Sequence, residues 1–192
     1  MELADAALEI IATRGISELT TKNVAEAVGL TTGAIFRHFK SLDALLVAVA
    51  ERVGDVLDSC YPPAGLEPLE RLEHFVEARS AVVGDRVGVL RLMLSEQFAM
   101  ALPKTAARRL RAAVDTTRAF LVTTIAEAQA ANQLRQDITS ETLAVIVMGT
   151  IQILGLSASH APHARRAEQA HAIRAALVQL LAPSIKPARR RT

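Results

Sequence analysis

Twenty consecutive residues, Thr20–Phe39 (TTKNVAEAVGLTTGAIFRHF), constrain this chain more than any other segment. They predict a helix, a glycine turn and a second short helix. Ala25 falls where two crossing helices need a small side chain. Gly29, four residues on, suits the left-handed backbone that ends the first of them. Val24, Val28, Leu30 and Ile35 supply an apolar seam, with Ile35 and Phe39 assigned to the core and the far face of the second helix left free. Thr20 and Thr31 each stand where an N-cap hydroxyl would open a helix. Short helix pairs are common and mostly structural, so an Ala/Gly coincidence alone would carry little weight. Here seam, turn and caps agree. The layout is that of a helix-turn-helix, whose second helix enters a DNA major groove.

The flanks extend the pattern. Leu3, Ala6, Ala7, Leu8, Ile10, Ile11 and Gly15 precede it, and Phe36, His38, Phe39, Ser41 and Leu45 complete it. In that order and spacing, residues 3–50 resemble the N-terminal domain of the TetR (tetracycline-repressor) family of bacterial transcription regulators. Beyond residue 50 the likeness is one of architecture, with residues 133–138 (QLRQDI) resembling a short family pattern between two late helices. The resemblance implies an all-α fold of about nine helices. A three-helix DNA-binding domain would occupy residues 1–45, a helical ligand-binding and dimerisation domain 46–185, and a basic disordered tail 186–192. It also implies a regulator, most simply a repressor, that binds a palindromic operator as a homodimer and is released by a small ligand.

By the same resemblance the recognition helix spans about residues 31–38, and Thr32, Gly33, Ala34 and Arg37 face the groove. Arg37 is the one member able to bond guanine through two hydrogen bonds. Gly33 lets the backbone approach closely, and the Ala34 methyl suits a thymine methyl. Thr20, Lys22, Thr31, His38 and Lys40 are the expected phosphate contacts. For Thr20 and Thr31 capping alone is the plainer role, and the two roles are compatible. Two positions depart from the family. Phe36 stands where Tyr is usual, removing a hydroxyl, and Leu42 where Lys is usual, with Lys40 two residues earlier as a substitute cation. The sequence opens almost directly on the first helix, without the basic arm of many relatives; weaker DNA binding or a start further upstream follows.

Charge placement matters more than its total. The net charge is +2, yet residues 1–50 hold four Lys/Arg against six Asp/Glu. The segment from Thr31 to Lys40 contains Arg37, His38 and Lys40 and no acid, so that edge is locally positive. Lys186 and Arg189–Arg191 read as a solvated tail rather than a second DNA contact. Apolar residues make up 51% of the chain and aromatics only 3%, without Trp, which predicts Ala/Leu/Val helix packing. Strand signals are missing. Cys60, the single cysteine, excludes an internal disulfide and fits a reducing cytoplasm, the expected location. Beside Tyr61 it reads as an inert thiol rather than a redox sensor. Glu2 and Asp5 replace the basic start of a signal peptide.

Further along, Ser41 should cap a fourth helix whose apolar positions Leu42, Leu45, Leu46, Val49, Val53, Val56 and Leu57 recur at helical spacing. Residues 61–65 (YPPAG) form a connector, and Pro68 opens a helix carrying Leu69, Leu72, Phe75 and Val76. Gly84-Asp85 marks its end. An apolar run through Leu90, Leu92, Met93, Leu94, Phe98 and Met100 follows, and Pro103 starts a helix reaching about Asn132, with Arg108, Arg109, Arg111 and Arg118 on a solvated side. Thr142–Ser159 holds no charged residue in eighteen positions. Gly149, Thr150, Gln152, Gly155, Ser157 and Ser159 argue against a membrane span, so both faces should be buried in protein. Leu143, Val147, Thr150 and Leu154 form one stripe and Val145, Met148, Gln152 and Leu156 occupy other faces, so one side can meet the chain's own core while the other needs a partner. The last helix repeats the pattern with Ala170, Ile173, Leu177, Leu180 and Leu181. Helices at about 140–159 and 165–182 from two copies would form a four-helix dimer interface.

By resemblance the helices between connector and seam enclose a cavity, for which Phe75, Met93, Phe98, Phe120, Met148 and Gln152 are the candidate lining, although each is also plain core. A mostly apolar ligand follows from that composition. No cofactor and no metal is called for. His160, His163 and His171 lack an acid or cysteine among them before Glu168, and Pro162 argues for a loop. No nucleophile motif, phosphate loop or carboxylate pair supports an enzyme. Two other classes stay open: a DNA-binding protein without small-molecule control, acting through a protein partner or organising the chromosome, and an enzyme.

Overall fold

The computed structural model describes residues 2–85, 100–157 and 163–183. Among the described residues every regular element is helical: α1 (Glu2–Arg14), a 3-10 turn (Ile16–Glu18), α2 (Thr21–Ala27), α3 (Thr32–His38), α4 (Leu42–Asp58), α5 (Pro68–Asp85), α6 (Lys104–Ala130), α7 (Ser140–Ser157) and α8 (His163–Leu181). The fold is all-α, with a helix-turn-helix region ahead of a helical bundle. The expected run at Leu90, Leu92, Met93, Leu94 and Phe98, His160 and the tail cations Lys186 and Arg189–Arg191 lie outside the described residues. So do the side chains of Leu156 and Ala170.

The short helices are held by caps rather than by length, since an isolated seven-residue helix is unstable in water. Thr20 Oγ1 accepts from the Asn23 N–H at 3.1 Å, Thr31 Oγ1 from Ala34 at 3.3 Å and Ser41 Oγ from Ala44 at 3.1 Å. Each satisfies a donor that the first helical turn leaves orphaned. At the other end of α2, the Leu30 N–H reaches Ala25 O at 2.9 Å and the Gly29 N–H reaches Glu26 O at 3.3 Å. This doubly bonded ending needs a left-handed residue between helix and exit, and Gly29 supplies it at φ +67°. Leu30 contributes its backbone to this turn, whereas its side chain is exposed. The seam is therefore Val24, Ala25, Val28 and Ile35 without Leu30.

Two cores follow from the apolar spacing. The first gathers Ala7, Leu8, Ile10 and Ile11 of α1, Val24 and Ala25 of α2 and Ile35 of α3 around α4. Along α4, Leu45, Leu46, Val49, Ala50, Val53, Val56 and Leu57 are all buried, while Leu42 at its start is exposed. The same core takes in Ala106, Leu110 and Ala113 of α6. The second core joins Leu72, Phe75 and Val76 of α5, Leu121, Ile125 and Ala128 of α6, Leu143, Val147 and Ile151 of α7, and Leu177 and Leu181 of α8. α6, 27 residues long, thus lies along both cores. Arg109, exposed as expected, also bridges back to α4: its Nη2 is 3.2 Å from Asp58 Oδ2.

The QLRQDI segment ties the end of α6 to the end of α8. Asn132 adopts φ 57° and Gln133 N–H bonds Ala128 O at 2.8 Å, terminating α6 as Gly29 terminates α2. The Arg135 N–H then donates to Leu181 O at 2.8 Å and its Nη1 to Leu180 O at 3.1 Å, satisfying carbonyls that the end of α8 leaves free. Asp137 holds the guanidinium in place by two hydrogen bonds, at 2.8 and 2.7 Å. Below it Leu134 is buried. No described helix is long and apolar enough to cross a membrane.

Gly29→Ala places a Cβ in open space but keeps the left-handed backbone. The expected cost is roughly 1–2 kcal/mol, read as a lower urea midpoint with an unchanged m-value.

Candidate nucleic-acid interface and effector core

α3 is anchored by one side and one end. Ile35 is completely buried, Phe39 packs against the first core, and Thr31 caps the start. Everything else on the helix is offered outward. Thr31, Thr32, Gly33, Arg37, His38 and Lys40 are exposed, as are Thr20 and Lys22 of the neighbouring α2 region, and Ala34 is half-buried. Arg37 and Lys40 have no ion-pair partner among the described residues, so their charge is not spent internally, and the His38 imidazole lies beside them. Lys22 differs: its Nζ lies 3.8 Å from Glu26. An exposed pair of this kind is worth little and yields easily to a phosphate.

A Cβ built on Gly33 meets only Thr31 Oγ1, at 4.0 Å. The fold itself therefore does not demand glycine there. Phe36 completes the edge and was missed as a candidate. It lies three and four residues beyond Gly33 and Thr32, so the helical period places it beside them. Its ring is 52% exposed, a large apolar surface on the same helix. The spacing alone could have marked it; attention to the missing Tyr hydroxyl hid the ring.

In the second core the structure brings Phe75 and Phe120 together, with ring centroids 4.9 Å apart. Tyr61, directly after α4's terminal turn, completes a triad at 5.4 Å from Phe75 and 5.2 Å from Phe120. Met148 packs on this core and Gln152 is half-buried on the same helix, whereas Met93 and Phe98 lie outside the described residues. Phe75 is fully buried. The sequence reading missed Tyr61, Thr117 and Arg79. Arg79 was detectable, since Leu72, Phe75, Val76 and residue 79 make one helical stripe. An arginine in its last position is out of character with the rest. A groove of about 260 Å³ between α5 and α8 is lined in part by Glu73, Glu77, His171 and Arg174, and by none of the six ligand candidates.

Cys60 is fully buried and its Sγ donates to Val56 O at 3.4 Å. Burial pushes its thiol pKa up, with Arg79 and Ser59 pulling the other way. A protonated, enclosed sulfur is a poor nucleophile. Among the described residues no group of three or more His, Cys, Asp or Glu is placed to hold a metal ion.

Residues 3–49 match the family model of bacterial regulatory proteins of the tetR family. Across its whole length the chain is similar in fold to solved regulators. The ketosteroid transcriptional regulator KstR2 of Mycobacterium tuberculosis is 16% identical, with 95% of this chain and 94% of that one covered at a TM-score of 0.78. AibR, solved in complex with isovaleryl coenzyme A and operator DNA, is 16% identical over 93% and 95% of the two chains, TM-score 0.75. FadR from Bacillus subtilis, in complex with stearoyl-CoA, is 14% identical over 94% and 98%, TM-score 0.68. Residues 3–49 thus carry the domain of the tetR family of bacterial regulatory proteins, and the chain shares the fold of solved transcriptional regulators. At the level of the family these are regulators, not enzymes.

Gly33→Ala should leave the melting temperature unchanged or slightly raised, because alanine favours the helix. It should weaken operator binding by about 1–3 kcal/mol, the cost of a methyl forced into a packed interface. Fluorescence anisotropy with labelled duplex, alongside thermal melting, separates the two effects.

Proposed function

We propose that this protein represses transcription by binding a near-palindromic operator as a homodimer, and that a small, mostly apolar ligand releases it. Residues 1–45 serve as the DNA-binding head, 46–185 as the ligand-binding and dimerisation domain, and 186–192 as a basic tail. The observation that carries the reading is the α3 edge: a capped, internally anchored helix whose outward cations have no partner among the described residues. Thr32, Gly33, Ala34 and Arg37 read the groove, with Arg37 on guanine. Thr20, Lys22, Thr31, His38 and Lys40 hold phosphates and set the register. The two threonine hydroxyls accept a backbone N–H as caps and keep their own proton to donate to a phosphate oxygen.

Dimerisation through α7 and α8 is supported by what a single chain leaves uncovered. Val145, Ile146 and Ile153 of α7 and Val178 and Leu180 of α8 are exposed, Val145 at 59% and Ile153 at 58%. Large apolar side chains in that density on two adjoining helices mark an interface. In the dimer two copies of α3 would meet successive major grooves, roughly 34 Å apart.

For the ligand, two fold relatives were solved with acyl thioesters of coenzyme A, a short branched chain in AibR and a long one in FadR. The aromatic and aliphatic composition around Phe75, Phe120 and Met148 suits an acyl chain in this protein also. Met93, Phe98 and Gln152 remain part of the proposed lining.

Arg37→Ala should remove about 1–3 kcal/mol of discrimination between operator and random duplex while leaving the dimer intact. A gel-shift series with competitor DNA reads this, and unchanged sequence preference would refute the groove assignment. Ile153→Arg should yield a folded monomer in analytical ultracentrifugation with greatly weakened operator binding. A dimer that persists in that variant removes α7 from the interface.

A further inference from the structure

Arg79 is a buried cation with which no carboxylate of the described residues forms an ion pair. It is 5% exposed on the inward stripe of α5. Its Nη2 donates to Thr117 Oγ1 at 3.2 Å, and its Nε is buried with no hydrogen-bond partner. The guanidinium carbon stands 4.9 Å from the centre of the Phe75 ring and 5.9 Å from that of Tyr61. Among the described residues no carboxylate forms an ion pair with it; Asp58, the acid that acts on it from α4, is engaged with Arg109. Burial pulls its pKa down, and Cys60, Tyr61 and Asp58 pull it back up. Even so, a guanidinium does not give up its proton in a protein.

An enclosed charge is costly unless an opposite charge and hydrogen bonds meet it. Here the aromatic rings attract one face of the cation and Thr117 takes one of its five N–H groups. The planar fork that remains matches two oxygens of a carboxylate or phosphate. Aromatic rings beside it would suit an apolar chain. Together these groups offer the two chemistries that a molecule with one acidic end requires.

We infer that Arg79 receives the acidic group of the effector, whose carboxylate or phosphate oxygens pair with the guanidinium while its apolar part lies along Tyr61, Phe75 and Phe120. This rests on the reading that the α5–α8 half binds a small ligand, and it refines the mostly apolar ligand to an amphipathic acid. The location also supplies a route to the DNA. Cys60 and Tyr61 follow immediately on α4, the helix that shares its core with the DNA-binding head. An anion settling on Arg79 changes the charge at the foot of that helix.

The test uses the full chain in two measurements. Without ligand, Arg79→Met removes the unpaired charge while keeping bulk, and the melting temperature should rise by about 2–4 °C. A fall would show that the cation has an internal partner and would overturn the inference. Glu96, the only acid in residues 86–99, is the first to check, since Glu96→Gln would then lower the melting temperature as well. With ligand, calorimetric titration compares butyrate, decanoate and palmitate with their methyl esters and their coenzyme A thioesters. The wild type should bind an acid or a thioester roughly 10- to 100-fold more tightly than the matching ester, and Arg79→Met should lose that preference. Preference for the free acid identifies a carboxylate on Arg79, and preference for the thioester a phosphate. An ester that binds as well as both, or a preference that survives in Arg79→Met, removes the Arg79 assignment alone. Binding of none of the probes removes the small-ligand reading and this inference with it.

Discussion

The continuous burial of one face of α4 is the constraint on which the remainder depends. The three short helices ahead of it could not hold together in water by themselves, because none buries enough surface to offset the entropy of ordering it. α4 gives them Leu45, Leu46, Val49, Ala50 and Val53 to close upon, and then presents Val56 and Leu57 in the same core. Two polar struts fix its rotation. Arg52 Nε bonds Asp5 of α1 at 2.8 Å, and Asp58 meets Arg109 of α6. The second strut explains Gly54. A Cβ there would stand 3.2–3.3 Å from the Arg109 guanidinium, which lies across the helix at that point. α4 is consequently gripped from the head side at one turn and from the body side at the next.

The recognition edge is rigid for a different reason. Its constraints all use atoms that do not face outward: backbone N–H groups taken by Thr20 and Thr31, backbone carbonyls taken in the Gly29 turn, and the inward side chains of Val24, Ala25 and Ile35. None of Thr32, Gly33 and Arg37 is needed to hold the helix in place. That division lets side chains at the edge vary with the target sequence while the scaffold stays the same, and it fixes the positions from which they reach. Preorganisation matters because ordering a loose segment on binding subtracts from affinity.

How far this could be read without coordinates depended on whether a feature was local. Caps at Thr20, Thr31 and Ser41 and the ending at Gly29 were legible, because each is decided within four or five residues by hydrogen bonds the backbone must make. The α4 stripe was legible through its period, apart from Leu42, whose position at the helix start lies beyond the reach of the core. Leu30 misled for a similar reason: after the helix-ending glycine it is used here for its backbone N–H and not for its side chain. Contacts between distant elements left no trace in spacing. The packing of Phe120 on Tyr61 and Phe75, the strut from Arg109 to Asp58, and the use of Arg135 to finish α8 each join residues more than forty positions apart. Only the stripe position of Arg79 gave any forewarning, and composition-based reasoning passes over a single charged residue in an otherwise apolar series.

The uncovered side of α7 bears on how small events in the second core could matter at the DNA. Were Val145, Ile146 and Ile153 left in water, α7 would expose more apolar surface than a lone chain tolerates, so the proposed pairing of two copies relieves a cost already built into the sequence. Pairing through α7 and α8 fixes the far ends of both chains against one another. In such a dimer the heads would change their separation by movement of α4 relative to α6, because α6 lies along both cores. That movement is resisted by the apolar core that α4 shares with Ala106, Leu110 and Ala113 of α6 and by the Asp58–Arg109 pair, and it is open to influence from Cys60, Tyr61 and Arg79 beside the end of α4. A ligand acting there needs only a modest difference in affinity between two α4 positions, because both heads must fit the duplex together and a displacement of either one spoils the register of the pair.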